Sequence, residues 1–206
     1  GKGYIFQGEK SGELVIRIPN PKFDCKDFRK AIKAYASLFN NDANWNFVGN
    51  PYPSYYDMDG LRDAGFVSPV YIWNGIDYEV YTPGDDVYHF KPLEGFFIQN
   101  SNLSQVTLPI SGRETRTQAN TKLANSATSR KSMVAKTIET SRQLINLELS
   151  DSAYTDRTRI VFNADASIEY EMGVDANKFI STSAPVQLYS LGKNKEQYSI
   201  NERPLT

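Results

Sequence analysis

Residues 45–97 decide the fold, with the segments WNFVGNPYPSYYDMDG (45–60), PVYIWNGIDYEVYTPGDD (69–86) and KPLEGFF (91–97). Fourteen of the 26 aromatic residues of the chain fall in these 53 positions, and Gly, Pro, Asn and Asp separate them. Short aromatic and β-branched runs between turn residues are typical of β-strands joined by tight turns. This part of the sequence therefore predicts an all-β domain.

A hairpin is predicted at the centre of this stretch. The runs VYIW (70–73) and YEVY (78–81) flank Asn74-Gly75. Asn-Gly favours the positive φ angles of tight hairpin turns, so the two runs should pair antiparallel. Further strands are predicted at 45–48, 96–98 and 106–108. Over residues 26–40, near-helical spacing of Phe28, Ile32, Tyr35 and Phe39 instead predicts one short amphipathic helix.

The composition changes after residue 110. No aromatic residue occurs between Phe97 and Tyr154, and residues 111–143 carry seven Lys or Arg against two Glu, a local charge of +5. We interpret 1–110 as a first β-sandwich, jelly-roll-like lobe, 111–143 as a polar basic linker or long loop, and 144–206 as a second β lobe. The second lobe has strands predicted at 144–149, 157–162, 186–191 and 198–200. So few strands indicate that it is truncated at its C-terminal end or packs onto the first lobe.

Three segments resemble a module of secreted and cell-surface proteins of the Bacteroidetes. WNFVGNPYPS (45–54) resembles the WNLVGNPYPS motif of proteins that include substrates of the type IX secretion system and adhesins. YIWN (71–74) with KPLEGFF (91–97) is similar to the continuation of that motif. DR (156–157), DANKF (175–179), LYS (188–190) and YSINERP (198–204) resemble the β-rich segment that follows. The resemblance implies a β-sandwich module, extracellular or on the outer-membrane surface, within a longer polypeptide.

Few residues suit catalysis or transition-metal binding. The one histidine, His89, lies within an aromatic run, and we interpret it as a packed side chain. The one cysteine, Cys25, is interpreted as a small, semi-buried apolar residue. A Cys–His pair has no supporting local motif, no G-x-S-x-G elbow is present, and one His with one Cys cannot form a zinc site without carboxylates. An enzyme is therefore not predicted, and no cofactor is expected.

Structural calcium is a minor alternative for two acidic turns. Asp57, Asp59 and Asp63 resemble part of an EF-hand loop, but Tyr55 stands where the first ligand should be. The other turn is Asp85-Asp86. We interpret both as Asx-rich turns.

Carbohydrate binding is the most specific alternative function. Exposed aromatic rings on β-sandwiches stack on sugars. The residues that would provide such a platform are Trp45, Tyr52, Tyr55, Tyr56, Trp73, Tyr78 and Tyr81. The competing interpretation places Trp45 and Trp73 in the core on alternating faces, with the tyrosines shielding them. The resemblance also implies O-glycosylation at Ser152, within Asp151-Ser152-Ala153.

These observations predict a non-catalytic structural or adhesion module of a larger bacterial cell-surface or secreted protein. A carbohydrate-binding module is the first alternative, and an accessory domain of a secreted enzyme is the second. The expected partners are a host or cell-surface protein or glycan, and the rest of the parent polypeptide. Nucleic acid is not expected, because the net charge is −1 and the basic stretch lacks stacking aromatics. Direct membrane insertion is not expected either, since no apolar run of helix-spanning length occurs.

Overall fold

The computed structural model describes residues 35–38, 44–99, 103–116, 118–120, 142–151 and 153–205. Over these residues the chain is all-β, as predicted, with fourteen strands arranged in four sheets. Within the same ranges, no helix is long and apolar enough to cross a lipid bilayer. Cys25 and Ser152 lie outside the described residues.

A four-stranded antiparallel sheet forms the centre of the first part of the chain. In spatial order it consists of β2 (Trp45–Gly49), β7 (Gly95–Gln99), β4 (Val70–Trp73) and β5 (Tyr78–Tyr81). The predicted hairpin is confirmed, because β4 and β5 pair antiparallel from Val70↔Tyr81 to Trp73↔Tyr78. Its turn is held by Asn74, whose Oδ1 accepts the N–H groups of Ile76 and Asp77, each at 2.9 Å.

Two smaller sheets flank this one. β1 (Tyr35–Ser37) pairs with β8 (Gln105–Thr107), while β3 (Tyr55–Asp57) lies between β6 (His89–Phe90) and β9 (Arg113–Glu114). A single-turn helix, α1 (Asp59–Asp63), follows β3, and a 3-10 turn (Ile110–Gly112) precedes β9.

The remaining sheet is built by the second half of the chain. Its strands run in the order β10-β11-β14-β12, with β13 also paired to β14. Their bounds are β10 (Arg142–Ser150), β11 (Thr155–Asn163), β12 (Ala176–Asn177), β13 (Ser190–Leu191) and β14 (Gln197–Arg203). β10 and β11 form a long antiparallel hairpin, whereas β11 and β14 are parallel.

The central sheet buries one face in an apolar core. Alternation along the strands points Val48, Ile72, Phe96 and Ile98 to this face, together with Val70. Tyr52, Tyr56, Phe90 and Leu108 fill the space beneath them.

The other face of the central sheet packs on the second half of the chain. Tyr71 and Val80 on this face share a core with Val161, Ala176 and Ile200 of the five-stranded sheet. The lobes predicted at 1–110 and 144–206 are therefore joined by packing, which was one of the two alternatives that the few strands suggested.

Three sequence predictions are wrong within the described residues. Tyr35–Ser37, predicted as helix, form β1, because their backbone hydrogen bonds are made with β8. Residues 113–114 and 142–143, predicted as linker, belong to β9 and β10. Of the strand predicted at 186–191, only Ser190–Leu191 pairs. In each case the deciding interaction comes from a strand distant in sequence, which local patterns do not report.

Candidate functional site

The outer face of the central sheet carries a continuous ladder of aromatic rings. Strand alternation and register bring Trp45 and Phe47 of β2, Phe97 of β7, and Tyr71 of β4 to the same face. Phe47 and Phe97 have ring centroids 4.6 Å apart, and Trp45 meets Tyr71 edge-on at 4.9 Å. These are favourable aromatic geometries, so the face is held rigidly by its own side chains.

Phe179 extends this ladder from the second half of the chain. Its ring lies 5.2 Å from those of Trp45 and Tyr71, and 5.4 Å from that of Tyr78 on β5. Phe179 follows β12, so the five-stranded sheet contributes a ring directly to the aromatic face of the central sheet.

The second half of the chain covers only part of this face. The uncovered part is a shallow groove of about 350 Å³, lined by Trp45, Tyr78, Phe97 and Phe179. None of these four side chains is a carboxylate or an imidazole, so the groove is suited to apolar contact and not to acid–base chemistry. We call it the aromatic groove.

Glycine at position 95 shapes the rim of the groove. A Cβ at Gly95 would lie 2.3 Å from the Cζ atom of Phe47, because the Phe47 ring covers the glycine backbone. The missing side chain leaves room for the Phe47 ring, which packs at a tilt against Phe97.

Trp73 stands at the edge of the same face. Its side chain is 51% exposed, and its ring lies 5.1 Å from that of Tyr78. The side chain of the next residue, Asn74, donates a 2.9 Å hydrogen bond from Nδ2 to Oε1 of Glu79, which strand alternation places on the opposite face of β5 from Tyr78. Trp73 therefore offers an exposed ring at the edge of the aromatic face.

The structure separates the seven aromatic residues predicted for sugar binding. Trp45, Trp73 and Tyr78 share the outer face, so the alternative that the two tryptophans lie on alternating faces is wrong. Tyr52 and Tyr56 are fully buried, whereas a sugar platform needs exposed rings. The Tyr52 hydroxyl donates to the Leu108 carbonyl at 2.6 Å.

The two remaining tyrosines lie elsewhere. Tyr81 points to the inner side of the central sheet, where the Arg157 guanidinium lies 4.0 Å from its ring centroid. Tyr55 belongs to β3 in the small sheet. The groove residues Phe97 and Phe179 were not predicted as site residues, although both stand in the motifs that carry the family resemblance.

Charged side chains connect the two halves of the chain next to this face. Arg157 and Arg159 of β11 approach Asp86 Oδ1 at 3.1 and 2.5 Å. Arg142 of β10 donates two 2.8 Å hydrogen bonds to Asp85. Burial opposes ionisation of Asp86, but Arg157, Arg159 and a backbone N–H outweigh burial, so its pKa is lowered.

A second cleft, of about 450 Å³, opens where the halves meet. The loops 82–86 and 171–175 line it and share one conformation. In each loop the first N–H donates to the carboxylate of the fifth residue, an Asp, at 2.7 and 2.8 Å, and the central glycine has a φ of 93° and 87°. The charges of Arg142 and Asp85 at this cleft already compensate each other.

In the first acidic turn the carboxylates are already hydrogen-bonded or ion-paired with neighbouring residues. Asp57 Oδ1 accepts the Asp59 N–H at 3.0 Å, and Asp59 and Asp63 lie 3.5 and 2.9 Å from Arg62 nitrogens. The other acidic turn is held by the arginines described above. Structural calcium at these turns stays the minor alternative to Asx-rich turns.

One cluster of described residues has the composition of a metal site. Asp57, His89 and Glu114, on the three strands of the small sheet, offer ligand atoms within 4.8 Å of one another. His89 Nδ1 lies 2.6 Å from Glu114 Oε2, and both side chains are buried. His89 is thus packed, as expected, and its carboxylate partner can orient the ring or share a cation with it.

Comparison of the chain with protein-family models, with curated proteins and with solved structures found no match.

Proposed function

We propose that this chain is a non-catalytic contact module of a larger bacterial cell-surface or secreted protein, and that the aromatic groove is the surface through which it binds a partner protein. The observation that carries the proposal is the groove itself. Four rings from strands β2, β5 and β7 and from Phe179 converge there and leave apolar area uncovered. Tyr, Trp and Phe dominate the binding energy of protein interfaces when they are clustered and preorganised.

The charged network beside the groove supports a mechanical role. Buried ion pairs with good geometry fix orientation, since the alternative is an uncompensated charge in a low-dielectric interior. Asp86 with Arg157 and Arg159 acts in this way between the halves of the chain. A contact module that transmits load needs such fixed geometry. The sequence resemblance described above supports the bacterial source and the extracellular location in this proposal.

Glycan binding at Trp73 is the second candidate. It is favoured by the half-exposed indole itself. A sugar would stack on this ring. The aromatic groove, by contrast, offers four apolar rings and suits a protein side chain better than a hydroxylated ligand.

Binding of the purified chain to immobilised extracellular-matrix proteins, mucin and a glycan array tests these alternatives. Phe97→Lys places a charge in the aromatic groove, and Trp73→Ala removes the exposed indole. Leu191→Lys is the matched control, because Leu191 is exposed and lies outside the groove. We expect saturable binding to a protein that Phe97→Lys weakens at least tenfold and Leu191→Lys leaves unchanged. Binding to glycans alone, lost in Trp73→Ala, would replace the proposal with its alternative.

A further inference from the structure

Lys178 meets two carboxylates in the interior between the halves of the chain. Its Nζ lies 3.0 Å from Asp77 Oδ2 and 2.7 Å from Asp156 Oδ1. Asp77 ends the turn between β4 and β5, Asp156 lies on β11, and Lys178 follows β12. Three segments distant in sequence therefore deliver one amine and two acids to a single point.

This point is closed to solvent. The side chains of Lys178, Asp77 and Asp156 are 1%, 1% and 8% exposed. An ammonium and two carboxylates lose their hydration there, and their mutual attraction offsets that cost only in part. Condensing the ammonium with one carboxylate to a neutral amide removes two charges from the low-dielectric interior. In water, hydration of the two ions opposes this condensation. Burial removes that hydration and therefore favours the amide.

We propose that Lys178 and Asp77 form an intramolecular isopeptide bond, with Asp156 acting as the proton relay. One proton passes from Nζ to Asp77 Oδ2 along the 3.0 Å contact, which leaves a neutral amine and a neutral acid. The amine attacks Cγ of Asp77, the Nζ–Cγ bond forms, and the Cγ–Oδ2 bond breaks. Asp156 takes the second proton from Nζ and passes it to Oδ2, which leaves as water. Asp156 ends as a carboxylate, so atoms and charge balance without any co-reactant.

Hydrogen bonds identify Asp77 as the carboxyl group that reacts. Its Oδ1, the oxygen that stays as the amide carbonyl, accepts the Tyr78 N–H at 2.7 Å. A backbone donor at this position stabilises the negative charge that develops during attack. The leaving Oδ2 also accepts the Tyr154 hydroxyl, at 3.3 Å. Burial, with Asp156 and Asp77 nearby, raises the pKa of Tyr154, which keeps this hydroxyl protonated as a donor.

Asp156 is held in a way that suits a relay. Both of its oxygens accept backbone N–H groups, Oδ1 from Arg157 at 2.8 Å and Oδ2 from Leu188 at 2.7 Å. Loss of either oxygen as water would break one of these bonds. Asp156 therefore keeps its carboxylate and presents Oδ1 to the Lys178 amine at a fixed position.

The bond would join positions 101 residues apart in the sequence. It would tie the β4–β5 turn to the segment that carries Phe179, and so lock the ring that the second half of the chain contributes to the aromatic groove. Closing so long a loop restricts the unfolded chain and raises stability. This inference goes beyond the proposed contact function and does not depend on it.

The mass of the intact, denatured wild-type chain decides whether the bond exists. We expect a mass lower than that of the sequence by one water, and a digest in which a peptide containing Lys178 is joined to one containing Asp77. The exposed pair Lys193–Glu169 has a similar contact distance, 3.1 Å, and should stay unlinked because it is solvated. The unaltered sequence mass from folded protein would overturn the proposal, and a Lys178–Asp156 link would overturn the assignment of Asp77.

Three variants test the roles of the residues. Asp77→Asn should lose one ammonia in place of one water, because the amide nitrogen then leaves instead of Oδ2. Asp156→Asn should fold, as judged by circular dichroism, but should form no isopeptide bond, since the relay is missing. Its mass should therefore equal the mass calculated from its sequence. Lys178→Arg retains the positive charge and should also keep its full mass. An isopeptide bond in Asp156→Asn would contradict the relay role. The mass of the wild-type chain decides whether the bond forms, even if a variant does not fold.

Discussion

The carboxylate of Asp86, which follows β5, lies 2.5 Å from a guanidinium nitrogen of Arg159 on β11. The same oxygen accepts a hydrogen bond from Arg157 at 3.1 Å. Asp86 is thus shared by two arginines from the opposite sheet, and both it and Arg159 are buried. This contact is one of the charged links between the two halves of the chain.

Asp86→Asn should destabilise the chain by about 3–5 kcal/mol at neutral pH, because two guanidinium groups lose their shared counter-charge in the interior. Urea unfolding measured by circular dichroism checks this value. Lys193→Met is the control, since its ion pair with Glu169 is exposed and worth under about 1 kcal/mol. Similar losses in both variants would contradict the role given to Asp86.

The contribution of Asp86 should disappear in acid. Its folded-state pKa is lowered below the ordinary 3.8, so the unfolded chain binds the proton more readily than the folded chain does. The stabilisation is then present above pH 3.8 and is lost as the pH falls through the folded-state value. Wild-type and Asp86→Asn unfolding free energies should converge below pH 3.8. A constant difference down to lower pH would show that charge is not the cause.

Alanine at Gly60 or Gly112 should destabilise the fold, because its methyl group would clash with Tyr56. A Cβ at Gly60 would lie 2.5 Å from the Tyr56 hydroxyl oxygen, and one at Gly112 would lie 2.6 Å from Tyr56 Cζ. The Tyr56 ring is completely buried between these glycines, so either Gly→Ala change should cost about 1–3 kcal/mol through overpacking. Tyr56→Phe should restore more stability to Gly60→Ala than to Gly112→Ala. The atom nearest the added methyl group is the Tyr56 hydroxyl oxygen at position 60 but a ring carbon at position 112. Thermal unfolding of the double variants checks this, and equal relief would contradict the geometry.

Replacing Trp45 should destabilise the fold more than replacing Trp73. Trp45 packs on Tyr71 and Phe179, so Trp45→Ala should cost roughly 2 kcal/mol or more. Trp73 is half exposed, and Trp73→Ala should change stability by under about 0.5 kcal/mol. In fluorescence of the Trp45→Phe and Trp73→Phe variants, the emission of Trp73 should be quenched more by iodide. Equal quenching would mean that the aromatic face is more open at Trp45 than the structure shows.

Tyr170 should make the chain sensitive to alkali. Its hydroxyl donates to Gln99 Oε1 at 2.6 Å, and burial, with Asp175 and Tyr198 nearby, raises its pKa to about 12. Between the ordinary value of 10.0 and about 12 the unfolded chain releases the proton first, so stability falls as the pH rises through this range. Tyr170→Phe should lose about 0.5–1.5 kcal/mol at pH 7 and show a shallower alkaline decline. An unchanged decline would exclude Tyr170 as its source.

Local sequence patterns predicted much of the secondary structure and part of the candidate site. Asn74-Gly75 between two aromatic runs predicted the β4–β5 hairpin, because turn preferences act between near neighbours. Trp45, Trp73 and Tyr78, three of the candidate platform residues, lie on one face of the central sheet. Phe97 and Phe179 were not predicted as site residues, since their role depends on which strands become neighbours in space.

What the sequence determined by itself is therefore the all-β class, the positions of most strands, and an aromatic-rich sheet. The tertiary structure alone decided that Tyr52 and Tyr56 lie in the core. The space for the Tyr56 ring is left by Gly60 and by Gly112, and Gly112 is 56 residues beyond Tyr56 in the sequence. It also decided that Asp77, Asp156 and Lys178 meet. Side chains far apart in sequence are brought together by sheet packing, and the burial that makes their charges costly exists only once both sheets are assembled.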